Sequence, residues 1–339
     1  MTQKRERKNG AKPKRSPNDL VSSIFQDGIF SDTATGLGKQ SSRLKDATCF
    51  RDRYVQGFLS ETYGGGQLER VDGFNSKRAL TDGLDGCYRS DEEQEGDNEN
   101  RLAGSSGNLE SVFWDPRDDR VQISNAAEVP WRALCHLRIV RPGGGVAIGT
   151  GWVAGPNVIV TAGHNYFHHH QGGFASSILI TAGADGSQTP FFPPVRASRG
   201  YVHRNWQQNA DPAFDYAFLY LDDDRLGRRT GSFSFADADD RFLNGVLVNI
   251  GGYPFDKPYE TLWYSAGRIF RLSSTRVAHR IDTTGGYSGA PLIYKRGDER
   301  IVLGMHTQGD SPDDQGAHNA AVRITGSFFD DLKRATGFG

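Results

Sequence analysis

The pattern of apolar and polar residues changes near residue 110. Residues 1–110 are rich in small, polar and charged side chains and show no sustained helical or strand periodicity. From about Val121 onward, short runs of β-forming residues alternate with turns of Gly, Pro, Asn and Asp; the predicted strands cover 133–140, 149–154, 158–162, 216–221, 246–250 and 301–305. We expect an all-β domain over 111–339, either a sandwich or a barrel, preceded by a weakly structured extension over 1–110.

One helix is predicted at the C-terminal end of this domain. Over 327–334, Phe328, Phe329 and Leu332 can share one face at helical spacing. No stretch of the chain approaches the ~20 consecutive apolar residues that a membrane-spanning helix needs. We therefore expect no membrane span.

Charge is balanced over the whole chain and uneven within it. The formal net charge is −1, which gives no general case for binding nucleic acid, so no nucleic-acid partner is expected. The first fifteen residues hold seven Lys or Arg and no apolar run of the kind found in signal peptides. The sequence as written therefore indicates a cytoplasmic protein.

Cysteine and histidine patterns give no case for a metal or a cofactor. Cys49, Cys87 and Cys135 are too scattered for a zinc site and are expected to be free thiols, with a bridge between Cys49 and Cys87 left open. Adjacent residues in the triplet His168-His169-His170 point in different directions, and no acidic or Cys ligand lies nearby at ligand spacing. We expect neither a metal nor a cofactor.

Three residues of the all-β part have the types and settings that nucleophilic catalysis needs. A serine hydroxyl is a weak nucleophile, so it needs a base beside it, and the base needs a carboxylate that holds its tautomer. Ser288 lies in the glycine-rich stretch 285–291, where the backbone N–H groups of Gly286 and Ser288 can form an oxyanion hole. His164 and Asp215 each stand at the boundary of a predicted strand. Their order along the chain is His, Asp, Ser.

The sequence resembles the trypsin-like serine peptidases and, among them, the bacterial glutamyl endopeptidases related to the staphylococcal enzyme. The order of the three residues matches that of chymotrypsin and differs from those of subtilisin and the α/β-hydrolases. The similarity runs over about 115–335, and its matching stretches are 130–133, 149–152, 161–164, 215–217, 252–258, 263–269 and 283–291. The resemblance implies a chymotrypsin-like double β-barrel with a C-terminal helix, with His164 and Asp215 in the first barrel and Ser288 in the second.

Two residues depart from the pattern of this family. Asn165 follows the candidate catalytic histidine, where relatives often have a Cys, and this change removes a usual disulfide partner. Tyr287 precedes Ser288, where relatives often have Asn or Asp, and is expected to reshape the rim of the site.

Two features of the sequence give opposite answers about the residue bound before the cut. Asp282, six residues before Ser288, matches the carboxylate at the base of the trypsin pocket and favours Arg or Lys. His306 and Thr283 match the pocket residues with which glutamyl endopeptidases receive an acidic side chain. We prefer the acidic interpretation because a histidine on the pocket wall crowds a long Arg. Thr307 to Gly309 are expected to pair with the substrate backbone.

The resemblance also implies activation by cleavage. In this family the catalytic unit follows a pro-segment, and the α-amine formed by the cut adds positive charge to the pocket. Leu109-Glu110-Ser111-Val112 falls where the family's mature chains begin, so cleavage after Glu110 leaves Ser111 first. An enzyme that prefers Glu can make this cut itself.

Two alternatives remain beside a Glu-specific serine endopeptidase that acts on proteins or peptides. One is a trypsin-like enzyme that cuts after Arg or Lys through Asp282. The other is a binding module that keeps the double barrel without turnover. The family is generally exported, whereas this sequence shows no export signal, so the compartment stays open, as does the oligomeric state.

Overall fold

The computed structural model describes residues 118–187, 189–309 and 318–337, together with the backbone of two strands at 28–32 and 68–71. The strands, in chain order, are β1 Gly28–Asp32, β2 Leu68–Val71, β3 Val121–Gln122, β4 Leu134–Val140, β5 Val146–Gly155, β6 Val158–Thr161, β7 Phe167–His168, β8 Gly173–Phe174, β9 Ser177–Ala182, β10 Val195–Arg196, β11 Arg199–His203, β12 Ala217–Tyr220, β13 Ser234–Ala238, β14 Leu247–Gly252, β15 Trp263–Leu272, β16 Arg276–His279, β17 Pro291–Arg296, β18 Glu299–Gln308 and β19 Asn319–Arg323. The helices are α1 Gly163–Tyr166, α2 Arg204–Asn209, α3 Arg225–Thr230, α4 Asp240–Leu243 and α5 Gly326–Thr336, with 3-10 turns at Trp131–Ala133 and Pro212–Phe214.

These strands form the two barrels that the resemblance implies. The first sheet runs in the order β1-β11-β12-β6-β5-β4-β9-β10 and curls into a half-barrel. In the second sheet, β14, β15, β16, β19, β18 and β17 follow one another, and β17 also pairs with β18, which closes a six-stranded barrel. The all-β, double-barrel expectation is confirmed, and the choice between sandwich and barrel is settled in favour of the barrel.

The strands form where β-branched and aromatic residues are buried on the pleated surface. All four residues of β6, Val158–Thr161, are buried, and this strand pairs with β5 on one side and β12 on the other. One apolar cluster fills the first barrel and the contact between the barrels, and a second fills the closed barrel. The site lies where the two barrels meet, because the loops that follow β6 and precede β12 and β17 converge there.

The six predicted strands are present, with ends that differ by at most three residues from those predicted. Several strands were not predicted, because polar residues interrupt their apolar pattern: β9, β11, β15 and β16 are examples. The C-terminal helix is α5, Gly326–Thr336, a little longer than expected. Phe328 of α5 stacks on Tyr216 with ring centroids 4.3 Å apart, so the helix packs on the first barrel.

The N-terminal region contributes one described strand to each sheet. β1 pairs antiparallel with β11 at the edge of the first sheet, and β2 pairs antiparallel with β13 at the edge of the second. No helix in the described part of the chain is both long and apolar enough to cross a membrane.

Candidate active site

His164 and Asp215 lie at the ends of two neighbouring strands of the first barrel, just after one and just before the other. His164 belongs to α1, which begins two residues after β6, and Asp215 ends the 3-10 turn before β12, the strand paired with β6. The backbone N–H of His164 donates to Asp215 Oδ1 at 2.8 Å, and the Nδ1 atom lies 2.8 Å from Oδ2. Since a buried carboxylate accepts, Nδ1 carries the proton and Nε2 is the acceptor of the ring.

Arg141 holds the backbone on which His164 stands. Its buried guanidinium donates to the carbonyl oxygens of His164 and Asn165, each at 3.1 Å. Burial lowers the pKa of Arg141 to about 10, so this group stays charged at neutral pH. His164 is therefore held from two sides: Asp215 contacts its ring, and Arg141 donates to its carbonyl oxygen.

The Ser288 loop is held against the first barrel by main-chain contacts. The carbonyl oxygen of Ser288 accepts from the backbone N–H of Thr150 and from Nδ2 of Asn165, both at 2.9 Å. Thr150 Oγ1 also donates to the carbonyl of Gly286 at 2.7 Å. Because Asn165 directly follows His164, these bonds bring the loop of Ser288 against the helix that carries His164.

Gly286 and Ser288 present backbone N–H groups of the kind expected at an oxyanion hole. Among the described residues, neither N–H donates to a protein acceptor. Gly286 has φ of +99°, and a Cβ there would lie 2.2 Å from the carbonyl oxygen of Tyr253, so only glycine fits. The two N–H groups are left for a ligand oxygen.

Tyr287 does not lie at the rim of the site, and that expectation is wrong. Its side chain is fully buried in the closed barrel, where its hydroxyl donates to the carbonyl of Trp263 at 3.1 Å. Gly252 leaves the room for the ring, since a Cβ at that position would lie 2.5 Å from it. The large aromatic residue before Ser288 is accommodated because its ring points into the barrel core, where its hydroxyl has a partner.

A buried arginine ties the segment 118–120 to the nucleophile loop. Arg120 donates to Asp118, to Asp256 and, at 3.0 Å, to Thr284 Oγ1, which in turn donates to Asp256 at 2.7 Å. Burial opposes the charge of Arg120, but the hydrogen bonds to Asp118 and Asp256 outweigh it and raise its pKa. Sequence reasoning missed Arg120, because nothing in the pattern shows that partners 136 and 164 residues away meet it.

Asp282 is buried and is engaged by the same segment. Its Oδ2 accepts from the backbone N–H of Asp119 at 3.2 Å, and the Asp119 side chain accepts from Ser265 at 2.8 Å. Burial, together with the nearby Asp282 carboxylate, raises the pKa of Asp119. The segment 118–120 thus contacts the Asp282 carboxylate through the backbone N–H of Asp119.

His306 is backed by a second histidine that the sequence did not single out. His306 Nδ1 lies 3.2 Å from His279 Nε2, and both rings are buried. The backbone N–H of Ile281 donates to His279 Nδ1, so a neutral His279 carries its proton on Nε2 and donates it to His306. A neutral His306 then has its own proton on Nε2. Burial lowers the pKa of His279 to about 3 and that of His306 well below its usual range.

The remaining candidate residues lie partly in or next to the two barrels and partly outside the described residues. Thr283 is buried and accepts from Asn319 at 2.9 Å; Thr307 lies in β18 at a bulge in its pairing with β19, and Gly309 directly follows that strand. Glu110, Ser111, Cys49 and Cys87 lie outside the described residues. Cys135 is a buried free thiol.

The histidine triplet forms no ligand cluster. His168 Nδ1 accepts from the backbone N–H of His170, and His169 Nε2 donates to the carbonyl of Gln207. In the described parts of the chain, no group of three or more His, Cys, Asp or Glu could hold a metal ion.

Known sequences similar to the chain include bacterial proteases. No family model matches. The "Glutamyl endopeptidase" of Bacillus licheniformis is 28% identical over 221 residues, which cover 63% of this chain and 66% of that protein. The "Extracellular metalloprotease" of Bacillus subtilis is 27% identical over 64% of this chain and 67% of its own. The "Glutamyl endopeptidase" of Staphylococcus aureus is 22% identical over 57% and 56%. The chain thus spans between about half and two thirds of these relatives.

The alignments with solved structures of the same fold cover nearly the whole length of those structures. A Glu endopeptidase in complex with MPD aligns with a TM-score of 0.57 and 22% identity over 66% of this chain and 98% of that one. The protease Anisep from Arthrobacter nicotinovorans aligns with a TM-score of 0.52 and 16% identity over 65% and 100%. At these identities the structures establish the fold. Together with the sequence relatives, they show that the chain is similar in fold to serine peptidases of the chymotrypsin type and similar in sequence to the glutamyl endopeptidases.

Proposed function

We propose that the protein is a serine endopeptidase that cuts after acidic residues, Glu above all. The observation that carries this proposal is the pairing of His164 with Asp215 beside the Ser288 loop, whose Gly286 and Ser288 N–H groups donate to no acceptor among the described residues. In this arrangement Ser288 is the nucleophile, His164 the general base and Asp215 the residue that orients it.

The reaction proceeds through an acyl-enzyme. Ser288 Oγ attacks the carbonyl carbon of the scissile bond while its proton passes to Nε2 of His164, and the carbonyl oxygen takes the negative charge beside the N–H groups of Gly286 and Ser288. His164 then gives the proton to the leaving nitrogen as the C–N bond breaks. Water repeats the sequence on the ester, which releases the acid and restores Ser288.

The preference for an acidic residue is supported by the surroundings of Asp282 and His306. Asp282 accepts from the backbone of Asp119, so its carboxylate is engaged by the protein, whereas a trypsin-like site needs it for a substrate cation. His306, which receives a proton from His279 at Nδ1, has an Nε2–H group to offer a carboxylate. Neutral N–H donors can bind a carboxylate through hydrogen bonds without forming an ion pair.

The nucleophile is tested by labelling with a fluorophosphonate probe. We expect the protein to react at Ser288, and we expect Ser288→Ala to abolish labelling and to lower kcat by about 10⁶-fold. Absence of labelling in every processed form of the wild-type chain favours the non-catalytic binding module.

The specificity is tested with paired peptides that differ only in Glu or Arg before the cut. We expect kcat/KM for the Glu peptide to exceed that for the Arg peptide by at least about 100-fold, since a charged group without its partner is rejected by kilocalories per mole. His306→Ala should lower cleavage of the Glu peptide. Faster cleavage of the Arg peptide, lost in Asp282→Asn, assigns the trypsin-like alternative.

Activation is part of the same proposal. Cleavage after Glu110 leaves Ser111 first, eight residues before Asp119 and the segment bound to Asp282. The new α-amine can then neutralise acidic charge near the pocket. N-terminal sequencing of active protein should read Ser111, and the Ser288→Ala chain should stay uncut unless active enzyme is added. An active chain that keeps its original N-terminus contradicts this maturation.

A further inference from the structure

A half-buried arginine outside the catalytic constellation lines the cleft between the barrels. Arg276 is the first residue of β16, and its Nη2 donates to Oε1 of Gln308 at 2.9 Å. Its Nε is buried and donates to no acceptor in the described parts of the chain. A buried donor without an acceptor costs about 1–3 kcal/mol, so such a group calls for a partner that the protein itself does not supply.

The register of three strands shows which way Arg276 faces. Arg276 is opposite Val322 on β19, and Val322 is opposite Met305 on β18, so these side chains share one face of the sheet. Val322 and Met305 pack in the cluster that joins the two barrels, whereas Val277, next to Arg276, packs inside the closed barrel. Arg276 therefore points to the side of the sheet that faces the first barrel.

The charges near Arg276 belong to the active site. Burial lowers the pKa of Arg276, and the carboxylates of Asp215 and Asp211 oppose this shift. Asp215 is bonded to His164, and Asp211 caps the 3-10 turn by accepting from the backbone N–H of Ala213 at 3.0 Å. Neither forms an ion pair with Arg276 in the described parts of the chain. The guanidinium thus carries its charge beside the cleft with one amide oxygen as its side-chain partner.

Gln308 links this cation to the path of the substrate. It is the last residue of β18, two residues after His306, and its pairing with β19 is resumed only after the bulge at Thr307. A substrate chain that lies along 307–309 brings one of the residues before the cut next to Gln308 and Arg276. The partly exposed guanidinium of Arg276 and the neighbouring side-chain amide of Gln308 offer a charge and N–H donors to a carboxylate.

We propose that Arg276 and Gln308 form a second anion subsite, which takes the side-chain carboxylate of an acidic residue two to four positions before the scissile bond. This inference rests on the proposed function and names its substrate class: peptides with two acidic residues, one bound at His306 and one at Arg276. The protein then selects acidic stretches of a chain over isolated Glu residues.

The test is a set of peptides that share Glu at the cut and carry Glu, Gln or Lys in turn at the second, third and fourth positions before it. At one of these positions we expect Glu to exceed Gln in kcat/KM by about fivefold, a size typical of a partly exposed charge pair. Arg276→Gln should reduce this ratio to about one, and Arg276→Glu should make Lys the better residue. Arg276→Lys keeps the charge without the paired donors and should keep part of the ratio.

Controls separate this subsite from general effects. The ratio between two peptides in one variant does not depend on how much of that variant is folded. Arg268→Gln removes an exposed arginine of the same barrel, whose Nη1 donates to the carbonyl of Gly245, and should leave the ratio unchanged. An equal Glu/Gln ratio in the wild type and in Arg276→Gln overturns the proposal, as does the same loss in Arg268→Gln.

Binding to the Ser288→Ala chain keeps the inference distinguishable from the proposed function. Fluorescence anisotropy with labelled peptides measures affinity without turnover. Tighter binding of the doubly acidic peptide, lost in the Ser288→Ala, Arg276→Gln chain, supports the subsite even if cleavage follows another rule at the first position. If the doubly acidic peptide and its Gln counterpart bind with equal affinity to the Ser288→Ala chain and to the Ser288→Ala, Arg276→Gln chain, the proposed subsite is excluded. Cleavage after Glu is tested separately by kinetics.

Discussion

Asn165 connects the helix that carries His164 to the loop that carries Ser288. Its Nδ2 donates to Thr161 Oγ1 on β6 and to the carbonyl of Ser288, each at 2.9 Å. A Cβ at Gly149 would lie 2.5 Å from this amide nitrogen, so the neighbouring strand leaves room for it. Where relatives have a cysteine after the histidine, this chain uses a side-chain amide that connects the two barrels.

Asn165→Ala should therefore loosen the Ser288 loop relative to His164. We expect kcat to fall about tenfold with little change in KM, since a buried hydrogen bond of about 1–2 kcal/mol is lost outside the substrate pocket. Steady-state kinetics corrected for the fraction of Ser288 that a fluorophosphonate labels measures this. Asn209→Ala, at the exposed end of α2, is the control; equal kcat in wild type and Asn165→Ala contradicts the role.

The buried pair His279 and His306 makes stability depend on pH. Both pKa values are lowered by burial, that of His279 to about 3, whereas the unfolded residues titrate near the ordinary value of 6.5. As pH falls below about 6.5, the unfolded chain binds protons that the folded chain does not, so stability is lost. From pH 7 to 5.5 each histidine should remove about 1 kcal/mol.

Urea unfolding of the Ser288→Ala chain at the two pH values measures this effect without self-cleavage. His279→Gln with His306→Gln should make the loss between pH 7 and 5.5 smaller. A loss of unchanged size in the double variant shows that other groups are responsible.

At the scale of elements, the segment 118–120 acts as a clamp on the loop before Ser288. Arg120 reaches Thr284 and Asp256, and the backbone N–H of Asp119 reaches Asp282. The carbonyl of Gly285 accepts from the N–H of Phe255 at 2.9 Å, so the 252–258 loop holds the same turn from the other side. Gly286, the candidate oxyanion-hole glycine, lies directly after these contacts.

Arg120→Lys should lower kcat by about tenfold and Arg120→Ala by more, with smaller changes in KM, because Lys cannot make the parallel hydrogen bonds of a guanidinium. Arg225→Lys changes an Arg paired with Asp223 on the surface and should have no effect. Kinetics and thermal unfolding of the three variants check this. A fall in melting temperature without a fall in kcat per labelled Ser288 assigns Arg120 a purely structural role.

At the scale of the whole molecule, the N-terminal region is connected to both barrels. β1 covers the edge of the first sheet at β11, and β2 covers the edge of the second at β13. Backbone groups at an uncovered edge exchange with solvent and can pair with other chains. A cut between this region and the peptidase domain severs the covalent link to both edges.

Amide hydrogen exchange in 199–203 and 234–238 should consequently be slower in the intact Ser288→Ala chain than after cleavage at Glu110 and separation of the fragments. The six strands of the closed barrel, β14 to β19, are the internal control, and their amide exchange should be unchanged. Equal exchange before and after cleavage contradicts the pairing of β1 and β2 as a cover for these edges.

The sequence determined the candidate chemistry and the fold class through features that are local. Ser288 between glycines, His164 after a buried strand and Asp215 before one are each visible in a few residues, and alternating apolar runs predict strands without knowledge of their partners. Tyr287 was misplaced because the room for its ring is made by Gly252, which is 35 positions earlier.

What only the tertiary structure decided are the contacts between distant parts of the chain. Arg120 with Thr284, Asn165 with Ser288, His279 with His306 and Arg276 with Gln308 join residues 164, 123, 27 and 32 positions apart. No periodicity records such pairs, because side-chain partners across a sheet or between two barrels are set by register and barrel closure. The sequence by itself therefore determined the candidate residues for catalysis, and the packing of the two barrels decided which distant residues hold them in place.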